Sequence, residues 1–464
     1  MNEFLFFMTF YGLSAAIITI VITIMMMEYK EQNIALIFWI TIFFVYVLPS
    51  LTDPFRKNFY LWGAYNISIY NINDILIYAH IYVLVFCSTY LLARLCTRGV
   101  FFNKGEARIF LWKDIIDFPE QFKYSRQTHI FTSLLAIVAI VSLIISSYAI
   151  YSKLGWSGLS DSGYNLYRLT ADSKYTQLGA HLTHIAAAGL FVAWLTRRWG
   201  VFCIILLFIM GNFFLRFNRS IFITLGIPFL TYAVFKNNNF KGALKIIFMI
   251  VIGYLGIHFL QAFRFFGSAY DALIALQNGE LFEKVKHLLT RTGGESDLRY
   301  FYYFLIDHDR SAFNLFWGQG YIRIALLPIP SKIISMIKPE DVDTVLYYFL
   351  HPGYHVKGGS SHTLIFGDSY ANFGWVGMFC GSIWAIFASI SNRILAWLPM
   401  GVRIHMIGIF GSAAVMIARG TIYNSCSRVF WQLLISLLIY YFGVLLYDML
   451  KTSTMPAHGN QIRC

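Results

Sequence analysis

Apolar residues along the chain fall into long runs that short polar segments separate. About 20 consecutive apolar residues are enough to cross the hydrocarbon core of a bilayer. The runs predict eleven spans: 4–27, 33–51, 73–96, 129–151, 180–196, 200–216, 220–235, 243–263, 364–391, 404–418 and 429–449. Two regions leave the count open by one. Residues 200–235 form one broken helix or two, and 364–391 is long enough to contain a bend.

Short basic segments predict which ends of the spans face the cytoplasm. Lysines and arginines lie in 97–127, in "TRRWG", in "KNNNFKGALK" and in the C-terminal tail. Because short cytoplasmic loops carry an excess of these residues, the N-terminus is predicted outside and the C-terminus inside. Three regions follow: spans one to eight (1–263), an extracytoplasmic subdomain (264–363), and the last three spans with a cytoplasmic tail (364–464).

The long loop 264–363 has a pattern of its own and is not low-complexity sequence. "DALIALQNGELFEKVKHLL" has apolar spacing near 3.6 residues, which predicts an amphipathic helix. "RYFYYFLIDHD" indicates a further buried element, and "KPEDVD" indicates a solvated acidic turn. We therefore expect a largely helical subdomain over the outer mouth of the bundle.

Composition agrees with this all-α polytopic membrane architecture and narrows the function. Hydrophobic residues make up 58% of the 464 residues and charged residues only 13%, and the mean hydropathy is +0.60. The six cysteines are scattered, so no metal site is predicted, and no nucleotide-binding fingerprint is present. The net charge of +13 lies partly at predicted outer junctions. Cytoplasmic nucleic acid is therefore a poor partner, and an anionic ligand in the membrane is favoured.

Arginines at predicted outer junctions are the first candidate site. Arg216 and Arg219 interrupt the apolar stretch "GNFFLRFNRSIFITLGIPFL", three residues apart, and would share a face if the helix continued. Arg264, Arg419 and Arg428 also lie at ends of spans. The planar guanidinium suits phosphate recognition. The alternative is that these side chains reach for lipid headgroups, an interpretation equally good for Arg428.

The segment "HPGYHVKGGSSHTLIFGDSYANFGWVG" is the second candidate site. It brings His362 and Asp368 to the return of the loop into the membrane, together with His351, His355 and Asn372. A histidine there is suited to general-base work near neutral pH. The alternative is a turn with capping hydroxyls and packing glycines. A solvated face is the preferred interpretation for three loop arginines, Arg291, Arg299 and Arg310.

Three motifs in order resemble those of the bacterial O-antigen polymerase and ligase superfamily. "RFNRSIF" resembles its arginine motif, and "SSHTLIFGDSYANFGWVG" resembles its histidine signature. "ARGTIYNSCSRVFW" resembles the closing motif of the Wzy-type repeat-unit polymerases. The resemblance covers essentially the whole chain, and it matches Arg219, His362 and Arg419 to the motif residues.

This resemblance implies a glycosyltransferase with a GT-C-like fold on the periplasmic face of the bacterial inner membrane. Such polymerases transfer a glycan from one undecaprenyl diphosphate to a second lipid-linked repeat, without metal or cofactor. Arg219 would be catalytic, and the pyrophosphate would bind Arg216, Arg219, Arg264, Arg419 and Arg428. His362 is the first choice of base and Asp368 the second. The family also implies a separate chain-length regulator.

Three alternatives remain: a ligase, a flippase, and a structural or sensory membrane protein, which would not need outward arginines at several separate junctions. A ligase that moves finished glycan to lipid A core shares the fold and the leaving group, although ligases of this superfamily usually have asparagine where this chain has Thr363. A flippase for the same lipid would be expected to show internal repeats and ionisable residues deep in its spans.

Overall fold

The structure is a computed structural model of a helical bundle. It describes residues 3–56, 59–60, 66–67, 72–101, 112–117, 120, 125–160, 170, 173–216, 218–236, 255–256, 258–263, 266, 269–290, 298–312, 317–329, 341–350 and 361–454. Within these residues, nine helices are long and apolar enough to cross a membrane. The chain is therefore a polytopic helical membrane protein.

The helices of the N-terminal half form the larger part of the bundle. They are α1 (Glu3–Lys30), α2 (Ala35–Ile42), α3 (Leu48–Ser50), α4 (Ile72–Phe101), α5 (Lys113–Ile116), α6 (Arg126–Ser160), α7 (Lys174–Leu195), α8 (Trp199–Arg216) and α9 (Ser220–Lys236). A π-helical turn at Phe43–Val47 joins α2 to α3, so that one span runs over Ala35–Phe55. Two-residue strands, Phe59–Tyr60 and Asn66–Ile67, pair antiparallel.

The C-terminal half contains short loop helices and then three long elements. The helices are α10 (Ala269–Gln277), α11 (Glu280–Thr290), α12 (Leu298–Ala312), α13 (Gln319–Ala325), α14 (Val342–Leu350), α15 (Leu364–Phe373), α16 (Cys380–Trp397), α17 (Met400–Ala418) and α18 (Ile422–Thr454). A 3-10 turn at Gly374–Phe379 joins α15 to α16 and produces the bend in 364–391. The single predicted amphipathic helix is in fact two, because Gly279 has a left-handed φ of 78° between α10 and α11.

Nine of the predicted spans correspond to the nine long helices. The predicted span 220–235 corresponds to α9, which is apolar but shorter than these helices. Residues 217–219 separate it from α8, so 200–235 forms two helices. The predicted span 243–263 lies mostly outside the described residues, of which 255–256 and 258–263 are helical. The total of eleven therefore stays a prediction.

Glycines allow the closest approach between the bent element α15–α16 and helix α4. A Cβ on Gly381 would lie 2.1 Å from the carbonyl oxygen of Phe86 in α4. A Cβ on Gly377 would lie 2.5 Å from the hydroxyl oxygen of Tyr82 in α4. Small residues at such crossings let helix backbones pack in direct contact. This packing holds the bent element α15–α16 directly against α4.

Polar contacts tie helix ends together at both ends of the bundle. At one end, Arg94 of α4 donates to Glu28 Oε1 and Oε2 at 2.8 and 2.9 Å, to Glu31 at 2.5 Å and to Ser389 Oγ at 3.0 Å. At the other end, the backbone N–H of Leu364 donates to Arg419 O at 3.0 Å. The first contact joins the C-terminal ends of α1 and α4, and the second joins the start of α15 to the end of α17. Both are expected where successive spans run in opposite directions.

Loop helix α12 is buried, as the aromatic segment predicted, but the expectation for Arg299 was wrong. The Arg299 side chain is 0% exposed, and its guanidinium pairs with the equally buried Asp53 at the end of the second span. Nε and Nη2 donate to the two carboxylate oxygens at 2.7 and 2.6 Å. Tyr303 completes the cluster by donating its hydroxyl to Asp53 Oδ2 at 3.0 Å. A solvated face is thus excluded for this arginine.

Candidate functional site at one end of the bundle

Three separate segments meet around His362. The turn between α17 and α18 lies against the start of α15, where Leu364 N–H bonds to Arg419 O. Gly420 has a φ of +96°, and a Cβ on it would lie 2.8 Å from Leu364 N and O. Leu364 itself adopts a left-handed φ of 60°, which is strained for a leucine. The chain therefore holds residues 361–364 in one defined conformation against this turn.

His362 contacts a buried carboxylate. Its Nδ1 lies 2.9 Å from Asp343 Oδ2 and 3.0 Å from Thr421 Oγ1. The Asp343 side chain is 0% exposed and that of His362 is 16% exposed. A second link comes from the backbone, because Ser361 N–H donates to Asp343 O at 3.0 Å. The histidine is thus oriented by partners from two other segments while its side chain remains partly accessible.

Asp341 and Asp343 were predicted to lie in a solvated turn, and this expectation was wrong. Both are buried, at 5% and 0% exposure. Burial, together with the charge of Asp343, raises the pKa of Asp341 from 3.8 to about 7, although Arg323 opposes the shift. Burial also raises the pKa of Asp343, although His362 and Arg419 oppose the shift. Two neighbouring carboxyl groups therefore share one poorly solvated site.

The rim of this site is polar and partly aromatic. Asn424 Nδ2 donates to Asp341 Oδ2 at 3.3 Å. The Arg323 guanidinium lies over the ring of Tyr423, 3.9 Å from its centroid. Arg323 is on the short loop helix α13, which is held against α15 by hydrogen bonds from the N–H groups of Gly318 and Gly320 to Asn372 O and Oδ1, each 2.9 Å. The loop thus contributes cationic and acidic groups beside His362.

Asp368 occupies a different position from His362. It is buried in α15, where Asn372 Nδ2 donates to its Oδ1 at 3.1 Å. The charges of Asp341 and Asp343 act on it. This side-chain hydrogen bond is internal to α15 and the carboxyl group is buried, so Asp368 is a poorer candidate than His362 to reach a substrate.

Arg216 ends α8 in a buried polar row between α6 and α8. Its Nη2 donates to Ser146 Oγ at 2.5 Å, and Ser146 Oγ donates to Asn212 Oδ1 at 2.8 Å. A Cβ on Gly179 would lie 2.6 Å from that Nη2, so the glycine in α7 leaves room for the guanidinium. Because the helix ends at Arg216, Arg219 does not share its face and instead donates from Nη1 to Gln261 Oε1 at 2.9 Å.

Arg428 joins Arg216 at a second cluster, around His184. The charges of both arginines reach His184, whose Nδ1 lies 2.8 Å from Thr224 Oγ1. The charge of Arg428 also reaches His181. One turn further along α18, Gln432 Nε2 donates to His181 O at 3.5 Å. This cationic cluster thus lies between α7, α8, α9 and α18.

The predicted site residues therefore separate into groups. Arg419 joins His362 and Asp343, Arg216 joins Arg428, and Arg219 binds Gln261. Arg264, His351 and His355 lie outside the described residues. Sequence reasoning missed three residues as members of the site, Asp341, Asp343 and Arg323; an acidic pair directly before an apolar helix was the available signal. Among the described residues, no three His, Cys, Asp or Glu side chains are grouped to hold a metal ion.

Comparison with known proteins identifies no relative, so a function must be inferred from the geometry of the site. The chain matches no protein-family model, no curated protein and no solved structure. What the arrangement can do chemically is nevertheless clear. An oriented histidine can accept a proton, and guanidinium groups nearby can stabilise negative charge that develops in a poorly solvated site.

Replacement of Asp341 by asparagine is expected to flatten the pH dependence of stability. An acid whose pKa rises from 3.8 to about 7 on folding takes up a proton on folding between these pH values. The unfolded state then binds fewer protons, so this group makes the wild type less stable as pH rises from 4 to 7. Thermal unfolding in detergent at pH 4.5 and pH 7 measures the difference. Equal pH dependence in wild type and Asp341→Asn would contradict the buried, protonated state.

Proposed function

We propose that this protein is a membrane glycosyltransferase that lengthens oligosaccharide repeats linked to undecaprenyl diphosphate. The observation that carries the proposal is that the acid–base cluster and the cationic cluster lie along one line of residues, from Thr421 immediately before α18 to Arg428 within it. Thr421 contacts His362, and Arg428 acts on His184. Thr421, Ser425 and Arg428 are spaced four and three residues apart, which aligns them along that line. Seven helical residues separate the two clusters by about 10 Å along the axis.

This spacing suits a transfer reaction between two lipid-linked glycans. A diphosphate at Arg216 and Arg428 would leave a sugar extending toward His362. Guanidinium groups there would stabilise the charge that develops on the leaving diphosphate. His362 would take the proton of the attacking hydroxyl group, since a positioned histidine is an effective base near neutral pH. Both substrates are held in the membrane, and the energy comes from the diphosphate bond of the donor.

The number of spans, their arrangement and their orientation in the membrane are part of the same proposal. The protein would have eleven spans in a GT-C-like arrangement in the bacterial inner membrane. Its N-terminus and both clusters would face the periplasm. The contact of Leu364 with Arg419 at one bundle end, and of Arg94 with Glu28 at the other, supports this alternation of spans. Arg219 and Arg264 would bind the second diphosphate or its lipid headgroup region.

Reconstituted protein tests the activity directly. Purified protein in nanodiscs is given undecaprenyl-diphosphate-linked repeat units from its host, and glycan length is read by gel electrophoresis and mass spectrometry. Products of two and more repeats, with release of undecaprenyl diphosphate, are expected. Transfer to lipid A core without elongation would instead identify a ligase. Movement of the lipid across sealed vesicles with no change in glycan length would identify a flippase.

Replacement of Arg428 by lysine is expected to lower the elongation rate by about tenfold to a hundredfold, the value of one or two charge-assisted hydrogen bonds. Lysine keeps the charge but cannot donate two parallel bonds to a phosphate. Arg198→Lys is the matched control, because Arg198 lies at the opposite bundle end and donates to Ser133 Oγ at 2.8 Å. Equal rates in the two variants would rule out a phosphate role for Arg428.

A further inference from the structure

Asp343 is in direct contact with His362. It is a buried carboxylate 2.9 Å from the Nδ1 of a partly exposed imidazole. Two backbone hydrogen bonds hold the histidine segment in place. Ser361 N–H donates to Asp343 O, and Leu364 N–H donates to Arg419 O, each at 3.0 Å. The ring is therefore held by its neighbours in sequence as well as by its own side-chain contact.

Charged groups from every adjoining segment face this pair. Arg419, at the end of α17, acts on Asp343 and favours its carboxylate form. Asp341 lies beside it before α14, with Arg323 of α13 acting on Asp341. Asp368 of α15 interacts electrostatically with both Asp341 and Asp343. Burial raises the pKa of Asp343, and the opposing charges of His362 and Arg419 favour its carboxylate form, which accepts the hydrogen of Nδ1.

We propose that Asp343 is a positioning residue that keeps the hydrogen of His362 on Nδ1, so that Nε2 acts as the proton acceptor. The proposal rests on the proposed function for its chemical consequence. In that reaction the O–H bond of the acceptor sugar breaks and its proton goes to Nε2. The oxygen forms a bond to the anomeric carbon of the donor, and the bond from that carbon to the phosphate oxygen breaks. The electron pair of that bond leaves with the diphosphate, while Asp343 stabilises the imidazolium.

Replacement of Asp343 by asparagine changes this arrangement with little change in shape. An amide can turn its NH₂ group toward Nδ1 and so leave the ring hydrogen on Nε2, where the ring no longer accepts a proton. We expect kcat for elongation to fall by at least about tenfold, within the range set by loss of a general base, with the KM for the lipid-linked acceptor unchanged. The acid limb of the rate–pH profile should move to lower pH. Asp343→Glu should recover part of the rate.

The tautomer of His362 can be measured without any activity. Histidine labelled with ¹⁵N, in protein held in nanodiscs, reports which ring nitrogen carries hydrogen, and His362→Gln assigns the signal. The wild type should carry hydrogen on Nδ1, and Asp343→Asn should shift the population to Nε2. A wild-type ring with its hydrogen on Nε2 would overturn the proposal, even where the variant does not fold.

The two readouts separate this proposal from the proposed function. A wild type that elongates nothing, yet carries hydrogen on Nδ1, refutes the polymerase activity and leaves the orienting role supported. Active wild type whose Asp343→Asn variant keeps its kcat and its rate–pH profile refutes the orienting role and leaves the activity supported. Thr421→Val is the milder variant. It removes the hydroxyl 3.0 Å from Nδ1 and should lower kcat less than Asp343→Asn.

Discussion

Replacement of Arg299 by methionine is expected to destabilise the protein by about 3–5 kcal/mol, the usual cost of removing one member of a buried ion pair. The guanidinium donates two hydrogen bonds to Asp53, and both side chains are 0% exposed. Without Arg299, the Asp53 carboxylate stays buried, and in the part of the chain that the structure describes it keeps the Tyr303 hydroxyl at 3.0 Å and Arg56 at 3.6 Å. Burial and then the charge of Asp53 raise the pKa of Tyr303 well above its usual range, so this phenol keeps its proton and still donates.

Thermal unfolding in detergent, followed by tryptophan fluorescence, measures this loss as a lower Tm. Arg56→Met is the matched control, because Arg56 faces the same carboxylate at 3.6 Å with 27% of its side chain exposed. Because the Arg56 guanidinium is farther from the carboxylate and partly solvated, its loss should cost less, about 1 kcal/mol or below. The double variant Asp53→Asn with Arg299→Met should be more stable than Arg299→Met alone, since it removes the stranded charge. Equal Tm values for Arg299→Met and Arg56→Met would contradict a structural role for the pair.

The spans could be predicted from the sequence because each one corresponds to a contiguous run of apolar residues. The apolar run 4–27 alone indicates a helix of bilayer length, and the structure has α1 at Glu3–Lys30. The pairing of Arg299 with Asp53 had no such signal, because the two residues are 246 positions apart. Hydropathy treats every arginine alike. Whether a loop arginine is solvated or buried depends on a partner that only the folded loop brings near.

The candidate site was predictable only in part, for the same physical reason. The motif that carries His362 is local, and its position at a helix start follows from the glycines and hydroxyl groups around it. Its partner Asp343 lies in "KPEDVD", whose composition is that of an exposed turn. Burial of these carboxyl groups depends on α13, α15 and the turn before α18 closing over them. Arg216 and Arg219 show the converse, since their spacing indicated one face and the helix end separates them.

Replacement of His362 by glutamine should lower the elongation rate by about 10²–10⁴-fold, the contribution of a well-placed general base. Glutamine can still hydrogen-bond to Asp343 and Thr421, so the segment 361–364 keeps its backbone contacts. It cannot accept a proton near neutral pH, and the acceptor hydroxyl group must then lose its proton to water. Single-turnover elongation in nanodiscs measures the chemical step, and binding of the lipid-linked acceptor should remain unchanged.

His405→Gln is the control that separates chemistry from stability. His405 is buried inside α17, and its Nε2 lies 3.0 Å from Ser436 Oγ. The same substitution there should lower the Tm while each folded molecule keeps its elongation rate, because no contact links His405 to the cluster around His362 among the hydrogen bonds of the described residues. A His362→Gln variant that elongates within threefold of the His405→Gln rate would exclude His362 as the base. Asp368→Asn would then be the next variant to measure, since Asp368 is the remaining acidic group on the element that carries His362 into the bundle.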